Sequence, residues 1–363
     1  MPTQGVFLTF IDRKETMPIE TARLGGAAPP RKRVLRWIGY LLAGVAGLVV
    51  LLAIVGAIYQ SVESSNDLRA HSPPGVLVEV NGYKMHLYCV GDGSPTAILE
   101  SGLNDSWLSW YRVQPALAKF ARVCSYDRAG VGWSDVQPEP PDSRNIAHHL
   151  HGLLNNAGVK PPYVLVGHSI GGIHIRVYQN TYPADVAGMV LVDSSHPDQR
   201  KRFPSELMKW SALQSLEFKL VKLAMPFGVP RFLVLCGDGP AEIRDTLRTV
   251  ECQTRWAETQ EAELNAFDSS AAEGRTAGSL GSMPLVVLSH DPDKGGFPRI
   301  IGADVAKRME IAWGQMQEDL SHLSTKGSRV VAKGATHYVQ LDRPDLVIDA
   351  VHLAVNASRD GQK

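Results

Sequence analysis

Neither sign of charge predominates in this chain: Lys plus Arg number 37, Asp plus Glu also 37, and the formal net charge is zero. No global field draws it toward nucleic acid or a polyanionic substrate. No basic stripe with interleaved aromatics occurs, so nucleic acid is not an expected partner. Cysteine is scarce, four residues in 363. None of them is spaced Cys-x-x-Cys, which argues against a thiol-redox centre or a structural zinc site. His148, His149 and His151 fall on one predicted helix without a convincing set of metal ligands. No metal and no cofactor is expected, and no internal repeat is visible. What remains is ordinary globular composition, 44% hydrophobic and 20% charged, on a chain long enough to bury a core.

Charge is missing altogether from Trp37 to Tyr59. At the helical rise this run spans roughly 34 Å, enough to cross a bilayer core of about 30 Å. It is longer than the apolar core of a secretory signal and starts late, so it reads as an uncleaved anchor. It is apolar on every face, unlike a core-packed surface helix. Arg31, Lys32, Arg33 and Arg36 precede it, and Glu63 and Asp67 follow. The positive-inside tendency then predicts a single-pass membrane protein with a cytoplasmic N-terminus and an extracytoplasmic main domain. The expected organisation is a cytoplasmic tail over 1–36, a transmembrane helix over 37–59 and a linker over 60–74. The main domain follows over 75–357, then a short tail over 358–363.

From Gly75 onward strands and helices alternate. Val76–Val80, the turn Asn81-Gly82 and Tyr83–Val90 read as a β-hairpin, because Asn-Gly suits the positive φ angles of a tight turn. Strands are predicted at 96–100, 122–126, 163–166, 188–192, 284–288 and 329–332. Helices are predicted at about 110–120, 144–157, 170–182, 302–323 and 344–355. Such alternation implies a mostly parallel sheet covered on both faces, an α/β fold. It pauses over about 197–282, which reads as an inserted helical cap with one strand near Phe232–Leu235.

The pattern Gly167-His168-Ser169-Ile170-Gly171 sits where the strand Tyr163–Val166 meets a helix. Gly-x-Ser-x-Gly at that junction makes a sharp turn that lifts the Ser169 hydroxyl out of the sheet. A serine needs a base. His337, between the last strand and the last helix, is the candidate. An acyl oxyanion needs backbone N–H donors. Those of Ile170 and of Leu103, next to Gly102, are expected to supply them.

With Glu100-Ser101-Gly102, the run Asp127–Ser134, the Ser169 motif and Gly334-Ala335-Thr336-His337, the chain from about Gly75 to Val355 resembles the α/β-hydrolase family. Many relatives carry His-Gly where this chain has Ser101-Gly102. The resemblance implies an acid for His337 at one of two places. Asp291 or Asp293 would lie after the penultimate strand, and Asp193 after the strand that follows the nucleophile helix. The residues leave that choice open. The family's sheet order also makes the strands of Cys89 and Cys124 neighbours, so a bridge is possible there. Cys236 and Cys252 bracket a cap segment and could close it.

The function this implies is a serine hydrolase cleaving a carboxylic ester, its partners a small-molecule ester and the membrane. An acyltransferase or amidase on the same site is the alternative, as is a non-catalytic ligand-binding protein on the scaffold. In the cap, Trp210, Leu213, Leu216, Phe218, Met225, Phe227 and Trp256 suit either an apolar acyl chain or ordinary packing onto the core.

Overall fold

The computed structural model of the chain describes residues 31–295 and 302–360, with Arg31 and 207–215 described by backbone alone. The expected N-terminal tail lies outside the described residues up to position 30, and the expected C-terminal tail does so from position 361. The side chains of Trp210 and Leu213 lie outside them as well. The described residues divide into two units, one ending at Leu52 and the other beginning at Ala53.

Helix α1, Arg31–Ala70, carries the whole uncharged run. Every residue from Lys32 to Leu52 is exposed, and the helix is long and apolar enough to cross a membrane. The stretch 60–74, expected as a linker, is helical through Ala70, so only 71–75 connect it to the sheet. Two causes extend the helix. No Gly or Pro interrupts Ser61–Ala70, and that part of the helix is held by its side chains. Gln60 Nε2 donates to the Cys252 carbonyl at 2.7 Å, and the Arg231 guanidinium donates to Gln60 and Asp67.

Eight strands, β1 (Val76–Val80), β2 (Tyr83–Val90), β3 (Thr96–Glu100), β4 (Val123–Tyr126), β5 (Tyr163–His168), β6 (Val186–Val192), β7 (Leu285–Ser289) and β8 (Gly327–Val331), form one sheet. Their order is β1-β2-β4-β3-β5-β6-β7-β8. β1 and β2 are the predicted hairpin, with Asn81 and Gly82 at φ 55° and 85°. β2 runs antiparallel to β4, and every pairing from β4 to β8 is parallel.

Helices α2 (Gln114–Leu117), α3 (Ser143–Asn156) and α4 (Gly171–Thr181) belong to the first half. α5 (Gln199–Arg202), α6 (Leu207–Ala224), α7 (Val229–Phe232), α8 (Arg244–Glu251) and α9 (Thr254–Thr276) lie between β6 and β7. α10 (Ala303–Ser321), α11 (Val339–Asp342) and α12 (Pro344–Asp360) complete the chain. The period of two along each strand feeds two cores. Ile98, Leu165, Met189 and Val287 pack with Leu150 and Leu153 of α3 and with Ile175 and Tyr178 of α4. Leu99, Val166, Val190 and Leu288 pack with Leu117 of α2 and with Val347 and Val351 of α12.

Two local expectations change. The helix expected over 110–120 is a 3₁₀ turn at Trp107–Trp110 followed by the short α2, because Pro115 has no N–H for a helix interior. The strand expected near Phe232–Leu235 is not formed. α7 ends at Phe232, and the chain then turns through Val234 at φ 55°, which breaks the extended backbone a strand needs. Both cysteine bridges are present: Cys89–Cys124 joins directly opposed residues of β2 and β4, and Cys236–Cys252 closes a loop in the cap.

Candidate active site

Ser169 stands between β5 and α4 at φ 53°, a left-handed conformation uncommon for a residue with a side chain. The flanking glycines are required by crowding. A Cβ on Gly167 would lie 2.7 Å from the Gly171 backbone, and one on Gly171 would lie 2.6 Å from the Ser101 carbonyl. The turn is fixed by hydrogen bonds from Ser169 N–H to the Val192 carbonyl (3.2 Å) and from Gly172 N–H to the Ser169 carbonyl (3.1 Å). The Ser169 hydroxyl makes no hydrogen bond with another described residue. Ser169 and His337 share the wall of a cavity of about 160 Å³, with Ser195, Gln199, Phe203, His290 and Trp313.

Of the candidate acids, the structure brings Asp193 to His337. Its Oδ2 accepts from His337 Nδ1 at 2.6 Å. Asp193 ends β6 at φ 40° and has no solvent exposure. Burial alone would raise its pKa, but hydrogen bonds from His290 and His337 outweigh that and hold the carboxyl well below the usual range. Trp313 Nε1 also donates to it, at 2.8 Å.

Asp291 is occupied elsewhere. It accepts from the N–H of Gly334 (2.8 Å) and of Asp293 (3.1 Å) and lies 3.3 Å from Lys333 Nζ. The Gly334 N–H is the main cause of its lowered pKa. Asp291 therefore caps the loop that carries His337 rather than touching the imidazole. Asp293 is exposed, 3.9 Å from Lys333 Nζ.

The two amides expected to hold an oxyanion are unspent: neither Leu103 N–H nor Ile170 N–H donates to a described residue. Their side chains meet in one apolar cluster with Ile173 and with Phe267 and Ala271 of α9. The Leu103 loop is held from below by buried Arg128, which donates to the carbonyls of Ser101 (2.9 Å) and Gly102 (2.7 Å). The same guanidinium pairs with Glu100 of β3 (2.8 Å) and with Glu263 of α9 (2.6 Å). One arginine thus ties the cap helix to the Leu103 loop. Burial raises the pKa of Glu100 against the opposing charge of Arg128.

Sequence reasoning missed three contributors. His290 bridges Asp193 and Glu310, Trp313 steadies Asp193, and His168 donates from Nε2 to the His337 carbonyl at 3.0 Å. His168 was visible inside the serine motif and His290 beside Asp291. Trp313 left no signal, because its role depends on α10 packing against β7 and β8 so that the indole reaches Asp193.

A family model described as the α/β hydrolase fold matches residues 95–223. An uncharacterized protein of Bacillus subtilis, YbdG, is 26% identical over 223 residues, covering 61% of this chain and 67% of that one. An uncharacterized vacuolar membrane protein of Saccharomyces cerevisiae is 32% identical over 134 residues, covering 32% of this chain and 21% of that one. Among solved structures, a thermophilic esterase from Thermogutta terrifontis superposes with a TM-score of 0.55 at 20% identity, over 78% of this chain and 98% of that one. The epoxide hydrolase CorEH superposes with a TM-score of 0.54 at 20% identity, over the same 78% and 98%. The chain has the α/β-hydrolase fold, with a helical cap between β6 and β7, and is similar to that superfamily over the residues the family model matches.

Proposed function

We propose that this protein is a membrane-anchored serine hydrolase that cleaves a carboxylic ester through an acyl-enzyme on Ser169. The observation that carries the reading is the 2.6 Å hydrogen bond from His337 to buried Asp193, beside a serine held at positive φ in the same cavity. In this scheme Ser169 Oγ attacks the acyl carbonyl carbon while His337 Nε2 takes the hydroxyl proton. Asp193 keeps Nδ1–H in place and stabilises the imidazolium. The Leu103 and Ile170 amides hold the oxyanion. His337 then protonates the departing alkoxide. Water, deprotonated by His337, attacks the acyl-enzyme and releases the acid with Ser169 restored. A serine at the turn supports acyl rather than alkyl chemistry, since opening an epoxide or displacing a halide through a covalent ester requires a carboxylate nucleophile.

The anchor is α1, with the catalytic unit outside the cytoplasm. Arg31, Lys32, Arg33 and Arg36 on the N-terminal side support that orientation. The two disulfides suit an oxidising compartment, and the yeast relative is itself described as a membrane protein.

The test is a fluorescent fluorophosphonate on the detergent-solubilised full chain, with Ser169→Ala alongside. Labelling of the native chain alone supports the reading and justifies a screen of p-nitrophenyl esters by chain length. Transfer of the acyl group to an added alcohol in preference to water would reassign the site as an acyltransferase. A folded native chain that does not label would refute catalysis by Ser169.

A further inference from the structure

Four consecutive apolar side chains stand outside the cap. Phe232, Leu233, Val234 and Leu235 are 77%, 55%, 65% and 62% exposed, where folding in water would favour burying them. Phe227 and Val229 before them, and Leu220 and Leu223 of α6, are exposed as well. The turn that presents them is fixed. Leu235 N–H donates to the Pro230 carbonyl at 2.8 Å, and the next residue, Cys236, is bridged to Cys252. Presenting them outward also puts Val234 in the left-handed region at φ 55°, which a β-branched residue strongly disfavours.

This lip is bolted to the last turns of α1. Under it the buried Arg231 guanidinium donates to Gln60 Oε1 (3.2 Å), Asp67 Oδ2 (2.5 Å) and the Cys252 carbonyl (3.3 Å). One turn further back, the chain at Phe227–Gly228 closes on Gly56 and Tyr59. A Cβ on Gly56 would lie 2.3 Å from the Phe227 carbonyl oxygen, and one on Gly228 would lie 2.9 Å from the Tyr59 ring. Gly56 and Tyr59 are the end of the uncharged run Trp37–Tyr59, and Gln60 begins the polar stretch. The lip therefore sits at the level where the surface of α1 changes from apolar to polar. Tyr59 at that level fits the aromatic belt of a membrane interface.

We propose that the lip Phe227–Leu235 inserts into the phospholipid leaflet facing the catalytic unit, giving the cap its own contact with the bilayer beside the anchor. The inference rests on the membrane-anchored reading above. Continuity with the apolar surface of α1, where Ile58 and Val62 are also exposed, favours lipid over a second copy of the chain. Apolar faces seated this way reach about 5–10 Å into the headgroup–acyl boundary.

The experiment uses the full chain, whose four cysteines are all bridged. Single variants Phe232→Cys, Leu235→Cys, Leu48→Cys and Leu353→Cys, all at exposed positions, carry an environment-sensitive fluorophore. Each is checked by circular dichroism and reconstituted into phosphatidylcholine vesicles with or without nitroxide-labelled acyl chains. The expected result is quenching of about twofold or more at Leu48, Phe232 and Leu235, and none at Leu353 on α12. Quenching at Leu48 with none at Phe232 and Leu235 overturns the lip and leaves the anchor standing. No quenching even at Leu48 overturns the anchor and the lip with it. A blue shift at Phe232 that follows protein concentration without nitroxide quenching means that a second copy covers the lip, and also overturns the proposal.

Discussion

His290 and Asp193 are joined twice: His290 Nδ1 lies 2.9 and 3.0 Å from the two carboxylate oxygens, and the His290 backbone N–H donates to Oδ1 at 3.0 Å. The other ring nitrogen, Nε2, lies 2.7 Å from Glu310 Oε2. An ionised carboxylate can only accept, so a ring facing one on each side must carry both protons. Burial opposes this charge, but the hydrogen bonds that the ring donates to Asp193 and Glu310 prevail and push the His290 pKa up to about 10.

The pH dependence of stability follows from the sign of that shift. A histidine whose folded pKa lies above 6.5 contributes stability that is full below pH 6.5 and is lost as pH rises through about 10. The melting temperature of the native chain is expected to fall across this window, and that of His290→Gln to fall less. Fluorophosphonate labelling of His290→Gln is expected to slow about tenfold or more, because Asp193 loses a partner that fixes its orientation. Equal slopes of melting temperature against pH in the two proteins would show that His290 is neutral.

Asp193→Asn and Asp291→Asn separate the two carboxylates. The first is expected to cut the labelling rate of Ser169 by about 10³–10⁴, because the imidazole loses its orienting acceptor. The second is expected to stay within a few-fold of native while lowering the melting temperature, because the loop it caps loses charge-assisted hydrogen bonds. Labelling rates and thermal melts on the same preparations check both.

Strain at Ser169 gives a comparison free of the hydroxyl. Ser169→Gly is expected to be more stable than Ser169→Ala by about 1 kcal/mol, since only glycine takes a φ of 53° without steric cost. Denaturant melts of these two variants decide it. Equal stability would mean that the turn relaxes when the side chain is cut back.

Arg128→Met leaves Glu100 and Glu263 buried without their cation. A loss of about 3–5 kcal/mol is expected, the cost of breaking a buried pair by removing one partner. Adding Glu263→Gln should recover part of it. The absence of any recovery would show that the two carboxylates do not share the arginine energetically.

Glu251 predicts a change of the opposite kind. Burial pushes its carboxyl up to about 7, despite a hydrogen bond from Gly237 N–H at 3.0 Å. Below pH 4.5 it is protonated in both folded and unfolded chains. As pH rises through about 7 the unfolded chain releases the proton more readily, which opposes folding. Glu251→Gln should therefore match the native chain near pH 4.5 and exceed its stability by up to about 2–3 kcal/mol above pH 7. Melts at the two pH values make the comparison.

Much of this protein is legible in its sequence, because the signals are local. A run of 23 residues without charge specifies a helix for an apolar medium, whatever lies around it. The unbroken apolar runs Tyr163–Val166 and Val190–Val192 specify strands buried on both faces. Gly167, Ser169 and Gly171 specify a turn that only close backbone approach explains, and His337 follows from its place after the last strand. Tertiary structure decided everything that depends on two distant segments meeting. Asp193 and Asp291 both follow strands and look alike in sequence. Which of them meets His337 depends on where β6 and the His337 loop end in space, 144 residues apart in the chain. The same holds for His290 and Trp313 around Asp193, and for Glu263 of the cap on Arg128. The extension of α1 through Ala70 depends on Arg231 and Cys252, and the outward face of Phe232–Leu235 depends on a turn locked by a disulfide. Local periodicity carries no information about such contacts, because they are set by packing and hydrogen bonding between segments that only the folded chain brings together.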